Sequence, residues 1–143
     1  MTRVTEYSYA PVDPADTYSS AFNDRRPRTI TESIAGITVS KTYNAYITNA
    51  VKELSHIEER CASSSSAYGS TNNLRTVQTY YGTNAGPAIG LLKSVLWPDG
   101  RLESHVYDYG NYTASTNPAL CTFTPDPDGP AWRETITHGT SDH

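Results

Sequence analysis

A chain of 143 residues has room for one domain and a modest core, and a formal net charge of −4, with no basic run beyond Arg25-Arg26-Pro27-Arg28, argues against a nucleic-acid footprint. Hydrophobic residues make up 36% and charged residues 18%, with 11 Tyr against 2 Phe, a composition that suits two-sided β structure better than a helical bundle. No stretch approaches the roughly 20 apolar residues of a membrane span, and residues 1–13 have no apolar core of a secretory signal, so an exported form would take its address from elsewhere.

In chain order, residues 1–28 carry Pro11, Asp13-Pro14, Asp16, Ser19-Ser20, Asn23-Asp24 and Pro27 without periodicity, and read as a loosely ordered N-terminal arm. A β-rich domain is expected over 29–143. Residues 29–43, rich in Thr, Ile and Val, read as a hairpin turning at Ala35-Gly36. In 46–61 the signals conflict. Ile47, Ala50, Val51, Leu54 and Ile57 fall at helical spacing, whereas Ile57, Glu59 and Cys61 alternate; the segment is read as strands over 48–54 and 57–61. Residues 62–73 form a polar loop, 74–81 alternate as a strand, and 82–87 turn.

Two strand-like runs, 91–97 and 101–109, then flank Pro98, Asp99 and Gly100. Pro98 presets φ, Asp99 can bond its own backbone, and Gly100 can take the positive φ that closes a short loop into a bulge. After a break at Asn117-Pro118 come a short strand over 120–124, a turn-rich loop over 125–130 and a last strand over 132–139. The fold expected is all-β, built of antiparallel hairpins. The end at Ser141-Asp142-His143 carries no capping device, as expected of a segment from a longer repeat array.

Gly90, Leu91, the turn Pro98-Asp99-Gly100-Arg101-Leu102 and the run Tyr107-Asp108-Tyr109-Gly110-Asn111 follow the order and spacing of a tyrosine-aspartate unit. The stretch resembles the YD repeat of Rhs-type proteins and animal teneurins. Tyr43-Asn44-Ala45-Tyr46 and Thr79-Tyr80-Tyr81-Gly82 resemble degenerate units, the first with Asn for Asp and the second without the acid. The resemblance implies a YD-repeat-like sheet or shell segment of a secreted or cell-surface protein. Such repeats wrap strands into a hollow β shell around a toxic or adhesive domain, so the partners implied are neighbouring repeats or an enclosed toxin domain. On this reading the chain is structural and not an enzyme. Asp126-Pro127-Asp128-Gly129 resembles the autocleavage step of Rhs-type proteins, but Pro130-Ala131-Trp132 departs from what should follow, and the tetrapeptide is read as a turn.

Little in the chain points to chemistry. His56, His105, His138 and His143 fall into no metal-ligand spacing, and no metal or cofactor is expected. There is no Gly-x-Ser-x-Gly elbow and no local cysteine-nucleophile signature. The acidic pairs Glu58-Glu59 and Asp126/Asp128 are adjacent only in sequence, so a hydrolase has no positive support. Cys61 and Cys121 leave two readings open: free thiols, or a disulfide closing a long loop and worth about 4 kcal/mol. His105, on one strand face with Glu103 and Tyr107, is expected to hydrogen-bond across strands. Asp108 is expected to accept backbone N–H groups near Gly110, where the strand would leave the sheet. Tyr107 and Tyr109 should share one face. With Trp97 and Trp132 they form the alternative reading, an aromatic platform for carbohydrate. Asn111-Tyr112-Thr113 matches the N-glycosylation acceptor pattern.

Overall fold

A computed structural model describes residues 2–16 and 25–141. It is all-β. Among the described residues nine strands form one antiparallel sheet: β1 (Arg3–Ser8), β2 (Thr29–Ile34), β3 (Ile37–Thr48), β4 (Leu54–Arg60), β5 (Leu74–Tyr80), β6 (Leu92–Leu96), β7 (Arg101–Thr113), β8 (Thr122–Pro125) and β9 (Ala131–Thr140). The first seven follow one another across the sheet as a meander, and β8 and β9 both pair with β7. Two short 3₁₀ turns, Gly86–Ala88 and Pro118–Leu120, interrupt the connections.

The tight turns follow local chemistry. Ala35 (φ 51°) and Gly36 (φ 81°) form a two-residue loop with positive φ at both positions, which matches the twist of the flanking strands. At the β6–β7 connection, Gly100 has φ 83°, Gly100 N–H donates to Trp97 O (3.0 Å), and Trp97 N–H donates to Arg101 O (2.9 Å). The Pro-Asp-Gly loop therefore closes into the expected bulge.

Residues 46–61 are strands, as read, but their boundaries differ from 48–54 and 57–61. β3 runs on through Thr48, and the chain reverses over residues 49–53. Asn49 makes that reversal: its Oδ1 accepts from Val51 N–H and Glu53 N–H, each at 3.0 Å, and holds Lys52 at φ 60°. The helical spacing of 47–57 spans that turn, in which Ala50 and Val51 lie and where period has no meaning.

The arm expected over 1–28 is also partly ordered. Residues 3–8 are strand β1, in register with β2 from Arg3↔Ile34 to Ser8↔Thr29. Asp16 and Arg28 are tucked against β3: Arg28 Nε meets Asp16 Oδ2 at 2.6 Å with both side chains fully buried, and Asp16 Oδ2 also accepts from Tyr46 N–H at 3.1 Å. Asp16 thus supplies β3 with an acceptor beyond the start of β2. The rest of that arm, 17–24, and His143 lie outside the described residues.

Apolar burial is concentrated around β3 and β4. Among the described residues six apolar side chains are buried: Tyr43, Ala45, Tyr46, Ile57, Ala88 and Val95. The 62–73 loop packs over Tyr43 and Glu59. Glu59, 1% exposed, accepts from Gly69 N–H (2.7 Å) and Asn73 Nδ2 (3.2 Å) and faces Arg75 (3.6 Å). A single sheet leaves much uncovered: the chain exposes 9475 Å², against about 7300 Å² expected for a compact monomer of this mass.

Successive carbonyls of a strand point to opposite edges, which places the neighbours of β7. Arg101 O accepts from Trp97 and Tyr109 O from Asp126, so β6 and β8 share one edge in tandem; Gly100 O accepts from Ser141, so β9 takes the other. Gly110 is in register with both Pro125 of β8 and Ala131 of β9. Residues 126–130 must therefore cross the face of β7, and they cross at Gly110. A Cβ on Gly129 would lie 2.2 Å from Gly110 O, and one on Gly110 would lie 2.3 Å from Thr124 O. Among the described residues no helix is long and apolar enough to cross a membrane.

Candidate functional site

The register of β7 against β9 puts Glu103, His105, Tyr107 and Tyr109 on one face, directly opposite His138, Ile136, Glu134 and Trp132. Alternation sends every second side chain to this face, so the two strands build a polar row that runs into an aromatic end. His105 is 5% exposed, and each of its ring nitrogens faces a carboxylate: Nδ1 lies 2.6 Å from Glu134 Oε1 and Nε2 lies 2.9 Å from Glu103 Oε1. Whichever nitrogen carries the proton, it has an acceptor. Tyr107 OH donates to the same Glu134 oxygen at 2.9 Å, and His138 Nδ1 stands 3.4 Å from Glu103 Oε2.

The electrostatics follow from these contacts. The hydrogen bonds from His105 and then Tyr107 hold the Glu134 carboxyl below its ordinary value of 4.5. Burial, and then the bond to Glu134, push the Tyr107 phenol up to about 12. Tyr107 is thereby fixed as a donor. The cross-strand hydrogen bonding expected of His105 is present, and Glu134 is its centre. That role of Glu134 was invisible in the sequence because nothing local shows which strand lies beside β7.

The four aromatic candidates separate into a group and an outlier. Tyr109 and Trp132 are directly opposed, 38% and 61% exposed, and the Tyr107 ring lies 6.0 Å from Trp132. With Pro87, Leu91 and Asp108 they line a cleft of about 230 Å³. Tyr81 meets Tyr107 edge-on at 6.1 Å and donates its OH to His105 O at 2.7 Å. Trp97 stands at the far end of β7, beside the turn, and walls a separate cleft of about 320 Å³ with Pro98, Leu74, His56, Glu58, Arg60, Thr76 and Gln78. A single platform of Trp97, Tyr107, Tyr109 and Trp132 is therefore not formed.

The repeat-like residues hold the frame. Asp99 Oδ1 accepts from Arg101 N–H (3.2 Å) and Oδ2 meets Arg101 Nε (2.7 Å), which lowers the Asp99 carboxyl. Asp108 differs from expectation. Its side chain pairs instead with Arg133 Nη2 at 2.9 Å across the β7–β9 ladder. The physical reason is that β7 does not leave the sheet at Gly110 but continues to Thr113, so its backbone groups there are already engaged.

The acidic pairs do not converge on a substrate position. Glu58 and Glu59 point to opposite faces of β4, and Glu59 is buried under the 62–73 loop. Asp126 serves the crossover, accepting from Asn111 Nδ2 (2.8 Å) and Asp128 N–H (3.1 Å), so the Asp-Pro-Asp-Gly stretch is a turn here. Cys61 and Cys121 are free thiols, each directed at a carbonyl of its own loop, Ser66 and Ser115, at 3.7 Å. Cys61 follows β4 at the end level with the start of β7, whereas Cys121 precedes Thr122, which pairs with Thr113 at the far end of β7. The offset along the strands is roughly 35 Å, well beyond the reach of a disulfide. No cluster of three or more His, Cys, Asp or Glu side chains able to hold a metal ion occurs among the described residues. No family model, no curated protein and no solved structure matches this chain.

Proposed function

We propose that the chain is a wall segment of a β shell, of the kind found in secreted or surface YD-repeat proteins of the Rhs type, which encloses or displays a partner domain. The observation that carries this reading is the single open layer: among the described residues, nine strands with six buried apolar side chains, and about 2200 Å² more surface than a compact monomer needs. A sheet so lightly covered gains most by having neighbours, and the Pro98-Asp99-Gly100-Arg101 turn and the Asp108–Arg133 pair stiffen it without a second layer. On this reading the polar row of β7 and β9 is part of the wall. Small-angle scattering of the monomeric species tests it. A single layer should give a radius of gyration clearly above the roughly 14.5 Å of a compact 143-residue domain; a value at that figure would overturn the wall reading.

One observation favours a second reading, a carbohydrate-binding module. The exposed Tyr109–Trp132 pair, with Tyr107 beside it, offers ring faces next to the Glu134 carboxylate. A glycan array with the chain and its Trp132→Ala variant separates the two. Binding that disappears in the variant while circular dichroism is unchanged supports the module, and a blank array removes it.

A further inference from the structure

Three strands, β1, β8 and β9, are unpaired on their far sides among the described residues, and the edges of the two long ones, β1 and β9, match one another. In β1 the carbonyls of Thr2 and Ser8 accept from Ala35 and Arg28, so even-numbered residues bond inward and Arg3, Thr5 and Tyr7 present N–H and C=O outward. In β9, Gly110 and the other even positions of β7 bond to odd-numbered partners, and Trp132, Glu134, Ile136, His138 and Thr140 present theirs outward. Following the register across the sheet, Tyr7↔Ile30↔Thr42↔Arg60↔Leu74 and then, from Gln78 on the same face of β5 as Leu74, Gln78↔Val95↔Glu103↔His138, places both outward sets on the same face. The path from β1 to β9 holds eight strands of alternating direction, because β8 shares its edge of β7 with β6. A second chain in the same orientation therefore brings its β1 antiparallel to β9, with bonding groups opposed and faces continuous.

Resting on the wall reading, we propose that this edge pair is a head-to-tail junction, and that the partner it fits is a second copy of this unit. The chemistry of the two rows agrees. The outward row of β1 carries Arg3, which already reaches Glu32 at 2.6 Å, and that of β9 carries Glu134, already bonded to His105 and Tyr107, so each row brings one charge of opposite sign that is compensated on its own side. Tyr7 in one row and Trp132 and Ile136 in the other are exposed apolar surface that the junction would cover. Neither outward row contains Lys or Pro, the residues that blunt a sheet edge. The junction is heterologous, so copies joined in this way form a ring or an open ladder.

Two proline variants test it. Thr5→Pro and Ile136→Pro each remove one outward N–H and leave the ladders to β2 and β7 intact, the placement in which an edge strand tolerates proline. Light scattering after size exclusion should give a mass that grows with concentration for the unaltered chain, monomers for each variant alone, and a dimer when the two variants are mixed. The mixture is decisive: Thr5→Pro keeps a working β9 edge and Ile136→Pro a working β1 edge. A monomeric unaltered chain overturns the junction, and so does self-association of Thr5→Pro alone, which would mean that β8 or β9 pairs without β1. If a proline variant loses its circular dichroism, Thr5→Lys and Ile136→Lys replace it with the same expectations. A monomeric result leaves the wall reading to the scattering measurement, so the two can fail separately.

Discussion

The β3–β4 centre and the β7–β9 margin belong to one sheet yet are held in different ways. At the centre, Ala45 and Ile57 face each other at 0% and 4% exposure, and a buried ion pair and a buried carboxylate tie the flanking segments down. At the margin, nine of the ten residues of β9 are exposed and the cohesion comes from ladder hydrogen bonds and polar cross-strand pairs. A strand can thus be placed without a core, provided that each polar group it brings finds a partner. Such a strand should open locally long before the centre does.

The largest way to break the contrast is at the centre. Asp16→Ala leaves the Arg28 guanidinium buried without its carboxylate, and should cost about 3–5 kcal/mol, seen as a fall in the denaturation midpoint of the whole sheet. Gly110→Ala comes next. A methyl group there meets Thr124 O and the Phe123 ring, and overpacking of this kind costs about 1–3 kcal/mol. Hydrogen exchange should show the loss in β8 and β9, with β3 and β4 unchanged. Gly100→Ala should cost about 1 kcal/mol, through its positive φ, and loosen the β6–β7 hairpin.

The smallest effect sharpens the comparison through pH. The folded value of Glu134 lies below 4.5, so its contribution is fully present above that pH and is lost as pH falls through the lowered folded value. Exchange protection across 131–140 should therefore decline on the acid side before protection in β3 and β4 does. In Glu134→Gln this part of the acid response should vanish; an unchanged profile would show that the carboxylate does not hold β9.

What was legible in the sequence was whatever is written in adjacent residues. Ala35-Gly36 and Pro98-Asp99-Gly100 need particular φ values, and the residues that supply them stand side by side. The alternation of 103, 105 and 107 likewise gave the shared face of Tyr107 and its neighbours. What could not be read depends on partners distant in sequence. Asp16 finds Arg28 and β3, Glu59 finds a loop ten residues on, and Glu134 finds His105 only because the chain changes edges between β8 and β9. Asn49 misled in the other direction, since a turn stitched by one side chain sat inside a pattern that mimicked a helix. Trp97 shared a residue class with Trp132 but not a location, and composition alone could not part them.

The crossing at Gly110 also has a mechanical side. A pull on the chain beyond Ser141 would peel β9 from β7 one pair at a time, beginning at Thr140 and moving toward Ala131. The zipper then meets the strap of residues 126–130, where Gly129 is pressed against the backbone of Gly110 and Asp126 is tied to both Tyr109 and Asn111. Extension should halt there until the strap slides off the strand. The margin that is easiest to unzip thus ends in a buckle, which keeps tension from the outermost strand out of the meander behind it.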